Sequence, residues 1–123
     1  MYFLDTFAMI EYLKGNPGYI NLIKNKIFYT SDFQLMELYY ITLKEQNEES
    51  AERYFEVFAL VRVSIPEKTL KSAMKKRLEL KKNRLDISYI DAIGYQYAVE
   101  NNLKFATGDS AFEKLEEVEY IPE

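Results

Sequence analysis

Short apolar runs alternate with longer amphipathic stretches along this chain, and the two periodicities predict different elements. Tyr2-Phe3-Leu4 reads as a buried strand ending at Asp5. Thr6 is the expected cap of a helix running to about Leu13, and Gly15-Asn16-Pro17-Gly18 stops it. Tyr19 to Ile23 reads as a further helical turn, and Ile27-Phe28-Tyr29 as a second strand. Ser31 is a good N-cap with Gln34 at the capping-box position. The helix it opens runs to about Glu45, with Leu35, Leu38, Tyr39 and Thr42 at helical spacing. Glu49 to Phe58 reads as another helix, and Val61-Arg62-Val63 as a short strand.

Pro66 suits the first turn of the next helix, with Leu70, Ala73, Met74 and Leu78 expected on its buried side. Ser88 caps a helix through Ile93, Tyr97 and Ala98, ending near Asn101-Asn102. Lys104-Phe105-Ala106 is a strand, followed by a short helix through Phe112 and an edge strand from Val118 to Ile121. Strands alternating with helices predict an α/β fold with a mostly parallel sheet of about four to five strands flanked by helices. No linker or repeat divides the chain, so 1–123 reads as one domain.

Composition narrows the chemistry sharply. The 123 residues include no cysteine and no histidine. Disulfides, thiol nucleophiles, imidazole bases and zinc held by sulfur or nitrogen are excluded. A metal site here must be built from oxygen, which suits hard ions such as Mg2+ or Mn2+. No signal or membrane segment is evident, because Asp5 interrupts the first apolar run, and the expected location is cytoplasmic. The net charge of −4 hides an uneven distribution. Lys68 to Arg84 holds eight basic residues and one acid, whereas Asp109 to Glu123 holds six acids and one base. The first segment is suited to phosphate and the second would avoid it; the plain alternative is two solvated faces.

Most of the 20 acids lie in polar stretches and need no explanation. Four stand beside apolar residues. Asp5 ends a predicted strand, the edge at which parallel sheets bind ligands, or it caps the next helix. Glu37 interrupts Leu35-Met36-Glu37-Leu38-Tyr39-Tyr40-Ile41, where an unpaired buried carboxylate would cost several kcal/mol; the alternative is a solvent-facing position. Asp91 falls at the third position of a helix, either capping it or pointing from its start, with Asp86 a competing acid nearby. Asp109 follows a strand in Thr107-Gly108-Asp109, as a ligand or as a turn and cap. Gathered on one sheet edge, four carboxylates would repel one another unless a cation neutralised them.

These motifs resemble those of the PIN-domain family, in particular the VapC toxins of toxin–antitoxin pairs. The resemblance rests on Phe3-Leu4-Asp5-Thr6, Met36-Glu37-Leu38, Ser88-Tyr89-Ile90-Asp91-Ala92 and Phe105-Ala106-Thr107-Gly108-Asp109-Ser110-Ala111-Phe112, in that order across nearly the whole chain. It implies a three-layer PIN-like fold. It also implies that Asp5, Glu37, Asp91 and Asp109 form an acidic catalytic cluster holding Mg2+ or Mn2+, supported by the hydroxyls of Thr6 and Thr107. The implied activity is endonucleolytic hydrolysis of RNA to a 5′-phosphate and a 3′-hydroxyl. Lys71, Lys75, Lys76, Arg77, Lys81, Lys82 and Arg84 are then the expected phosphate contacts. An antitoxin protein is the implied partner and a homodimer the expected assembly. Nineteen aromatic residues are more than one small core obviously needs; extra core is the first expected place for any one of them, and a dimer interface or antitoxin groove the second. The roles of Asp86 and Ser110 stay open. The competing reading is a non-catalytic PIN-like module that binds RNA or protein. A phosphatase-like or response-regulator-like domain would want a lysine after a late strand, and none is evident.

Overall fold

The computed structural model describes residues 1–122, so Glu123 of the acidic tail lies outside it. Five strands, β1 (Tyr2–Leu4), β2 (Phe28–Ser31), β3 (Arg62–Val63), β4 (Lys104–Thr107) and β5 (Val118–Tyr120), form one sheet in the order β3-β2-β1-β4-β5. Every pairing is parallel. The helices are α1 (Thr6–Leu13), α2 (Pro17–Ile23), α3 (Asp32–Glu45), α4 (Glu48–Ala59), α5 (Glu67–Lys82) and α6 (Tyr89–Glu100).

The sheet has two cores because strand side chains alternate between its faces. Phe3 and Phe105, paired in register, point to the side covered by α5 and α6, where Ala73, Leu80, Ile93 and Ala98 pack. Leu4 and Ala106, the next pair, face Met9, Tyr19, Leu35 and Phe58 from α1 to α4. The result is helix, sheet and helix in three layers.

This winding also places the functional edge. The chain leaves β1 toward β2 and β3, then crosses back over the sheet to β4 on the other side of β1. Strand order therefore reverses between β1 and β4, and the helices diverge there to leave a crevice beyond the carboxyl ends.

Three local expectations are corrected. Asp5, not Thr6, caps α1: its carboxylate accepts the Ala8 N–H at 2.6 Å, and Thr6 is the first helical residue. On α5, Met74 and Leu78 are 36% and 57% exposed. The buried face runs instead through Thr69, Ala73 and Leu80, because the helix is rolled toward α6 and Arg77 takes the intervening turn. The second strand begins one residue later than expected and continues through Ser31, which ends the strand and caps α3.

Candidate active site

β1 and β4 run side by side and each delivers an acid just past its end. Asp5 follows Leu4, and its N–H donates to the Ala106 carbonyl at 3.2 Å, the last rung tying it to β4. Asp109 follows Thr107-Gly108 and caps the short 3-10 turn Ser110–Phe112, its carboxylate accepting the Ala111 N–H at 3.0 Å. Each of these two acids caps the element that follows it, and both also line one cavity. Gly108 is needed between them: a Cβ there would lie 2.0 Å from the Phe7 ring.

Two helices supply the other acids. Ser88 caps α6 by accepting the Asp91 N–H at 3.0 Å, which sets Asp91 in the first turn. Glu37 lies on the second turn of α3, partly buried. All four carboxylates line one cavity of about 550 Å³. Thr6, Gly108 and Ser110 complete its polar rim, and Phe7, Ile10 and Ile41 form an apolar wall. That wall went unrecognised in the sequence, since nothing local distinguishes these three from core residues. Ser110 thus belongs to the cavity. Asp86 does not: it is exposed and sits 3.7 Å from the Arg77 guanidinium.

The electrostatics show that the acids sense one another. Burial pushes the Asp5 carboxyl up to about 8; the Thr107 hydroxyl beside it opposes the rise, and the charges of Asp91 and Asp109 add to it. Burial likewise pushes Asp91 up to about 6, with further push from Glu37 and Asp109 and a pull back from the Ser88 hydroxyl. Thr107 also accepts the Asp109 N–H at 3.0 Å, so one hydroxyl stands between the two strand-end acids. The Thr6 hydroxyl donates to the Gln34 carbonyl at 3.4 Å rather than to an acid.

Among the described residues, none of the five ion pairs involves any of these four acids. Nor are any three of them already drawn in as a finished metal cage. The donor set is nevertheless all oxygen and rich in carboxylates, which fits hard divalent ions such as Mg2+ or Mn2+.

The basic candidates divide. Arg77 donates to the Ile87 carbonyl at 2.9 Å and lies 4.3 Å from the Tyr89 ring centre, at the end of α6 that carries Asp91. Lys81, Lys82 and Arg84 continue from there, exposed. At the other end, Thr69 bonds to Glu100, and Lys71 is paired with Glu67 at 3.0 Å. Glu100 is about 13 Å along α6 from Asp91, at 1.5 Å per residue. Lys76 is partly buried and 3.7 Å from Glu79, and Lys75 is exposed near the middle of α5. The charge run is therefore not one surface: its C-terminal part lies toward the end of α6 that carries Asp91, and its start lies toward Glu100.

A doubly wound parallel domain with carboxylates at its switch point defines a class of acidic-site α/β protein. The PIN-domain family model matches residues 2–118, and the chain belongs to that family. Among solved structures, VapBC2 from Rickettsia felis, bound to a DNA fragment from its promoter, superposes with a TM-score of 0.77 at 21% identity, covering 98% of this chain and 97% of that one. VapC20 of Mycobacterium tuberculosis, a sarcin–ricin loop cleaving toxin, gives 0.76 at 14% identity over 96% and 98%. VapBC-1 of nontypeable Haemophilus influenzae gives 0.75 at 22% over 98% and 96%. The fold is the VapC fold. No curated protein sequence matches the chain. Among the described residues, no helix is long and apolar enough to cross a membrane.

Proposed function

We propose that this chain is a Mg2+- or Mn2+-dependent endoribonuclease and the toxin of a toxin–antitoxin pair. The observation that carries the reading is the convergence of Asp5, Glu37, Asp91 and Asp109 on one cavity at the β1/β4 switch point. A divalent ion held by these acids would supply nucleophilic water near neutral pH and stabilise charge on the phosphate, in a chain that has no histidine to serve as the base. Asp5 is the most buried donor, 2% exposed and held by the Ala8 N–H. Asp91 and Asp109 stand across from it on separately capped elements, and Glu37 closes the ring from α3. Fixed backbone at each acid limits the reorganisation needed when charge develops. Lys81, Lys82 and Arg84 draw the RNA backbone toward the acids.

The VapC likeness in fold supports the toxin assignment, and an antitoxin and a second copy of the chain are the proposed partners. Met36 and Tyr39 on α3 and Phe55 on α4 line one shallow groove, with Met36 57% exposed, an apolar surface suited to protein contact. The test is cleavage of single-stranded RNA with Mn2+, beside hydrolysis of a phosphomonoester. Cleavage that EDTA and Asp91→Asn both abolish supports the reading; phosphomonoester turnover alone refutes it.

A further inference from the structure

Gln34 does not line the cavity, yet it touches the supports of three of its four acids. It is fully buried on α3, three residues before Glu37. Its amide oxygen accepts the hydroxyl of Ser31, the cap of α3. Its amide nitrogen donates to the Ile90 carbonyl of α6 at 3.0 Å, and Ile90 directly precedes Asp91. Its own backbone carbonyl receives the Thr6 hydroxyl at 3.4 Å, one residue past Asp5. In a capping box the third-position amide turns back to the cap's N–H. Here the nitrogen leaves its own helix and bonds to another.

Gly94 makes the room for this. A Cβ at Gly94 would lie 2.7 Å from the Gln34 Nε2 and 2.8 and 2.9 Å from the rings of Phe3 and Phe105. α6 therefore sits close enough to the sheet for the amide to reach its first turn.

The choice of a buried amide has a physical consequence. An unpaired buried polar group costs about 1–3 kcal/mol, and among the described residues no buried side-chain nitrogen or oxygen lacks a partner. An apolar side chain of similar volume would fill the space, but apolar contact is non-directional. A hydrogen bond fixes a distance and an angle. From these contacts we infer that Gln34 is a positioning residue for the acid centre. Its amide locks the first turn of α6 against the start of α3, and so sets the spacing of Glu37 and Asp91; the tie from Thr6 runs through its backbone carbonyl and does not depend on the side chain.

The part of this inference that concerns metal rests on the function proposed above; the part that concerns α6 does not. The test is Gln34→Met, compared with Leu103→Val, a core change just before β4, at the end of the sheet opposite the acids. Amide hydrogen exchange in EDTA is expected to quicken about tenfold or more from Asp91 to Gly94, with Ala98 unchanged. Calorimetry with Mn2+ alone is expected to show affinity falling roughly 10–100-fold, as for lost supports of metal ligands elsewhere. On RNA, kcat falls while KM holds. Leu103→Val lowers the melting temperature without these effects. Should Gln34→Met not fold, Gln34→Glu keeps the volume and the Ser31 contact, loses the N–H donor to the Ile90 carbonyl, and is read by the same exchange and the same Mn2+ affinity. Unchanged exchange together with unchanged Mn2+ affinity overturns the inference. If the unaltered protein neither binds Mn2+ nor cleaves RNA, the proposed function falls, and exchange alone decides the role of Gln34.

Discussion

Replacing Asp5 with asparagine separates the two duties this residue performs. The cap on α1 survives, because asparagine accepts an N–H as well as aspartate does. The charge is lost. In the metal-free protein the folded state holds a proton on Asp5 up to about pH 8, whereas an unfolded aspartate releases it near 3.8. Between those values the folded state binds more protons, so its stability falls as pH rises. At pH 7 that spans about three pKa units, or about 4 kcal/mol at 1.4 kcal/mol per unit. The gain from Asp5→Asn is smaller than this ceiling. Its amide group meets the Thr107 hydroxyl in place of a carboxylate, and a poorly matched buried donor costs about 1–3 kcal/mol. A net gain of roughly 1–3 kcal/mol at pH 8 corresponds to about 4–12 °C in melting temperature for a domain of this size. The assay is thermal unfolding in EDTA at pH 5 and pH 8, followed by titration with Mg2+. The asparagine variant should melt higher than the unaltered protein at pH 8, by less at pH 5, and should gain nothing from Mg2+. Asp5→Ala, which loses the cap as well, should forfeit about 1 kcal/mol of that gain. A variant that melts lower at pH 8 in EDTA, or an offset equal at both pH values, would show that the buried charge is not what strains the metal-free fold.

Further expectations follow from particular contacts. Gly108→Ala drives a methyl into the Phe7 ring and should destabilise by about 1–3 kcal/mol while disturbing the cavity wall, read as a lower melting temperature with weaker RNA cleavage. Reversing Lys81, Lys82 and Arg84 to Glu should reduce the slope of log K for RNA against log salt by about 0.7 per lost contact. Reversing Lys68 and Lys71, at the far end of α5, should leave the slope nearly unchanged, and equal effects from both sets would refute the division of the charge run. Tyr19→Phe removes the hydroxyl that donates to the Ile121 carbonyl at 2.6 Å and should cost about 1 kcal/mol, measured by denaturant unfolding, without loss of Mn2+ binding.

Much of this molecule is written in short-range pattern. Short segments with apolar residues placed all five strands to within two residues, and Ser31 and Ser88 marked two helix starts, because capping and strand burial depend on a few neighbouring residues. The four acids stood out for a related reason: a carboxylate among apolar neighbours has no cheap solvation, so its presence calls for a partner. Their convergence was legible only as an expectation. It depends on β4 returning to the flank of β1 after 99 residues of intervening chain, and no local signal encodes that crossover. The same is true of what was misread or missed. Met74 and Leu78 keep helical spacing but lie outside the contact, because the roll of α5 is set by its packing on α6 rather than by its own sequence. The basic run looks continuous in one dimension, yet the helix spreads it over two ends of the fold. Gln34 has the sequence position of a capping-box residue and the structural position of a cross-link. Periodicity and capping are properties of a segment, so the chain declares them by itself. Which side chains meet across segments depends on strand order, helix roll and the clearance at Gly94, and these exist only once the whole domain is packed.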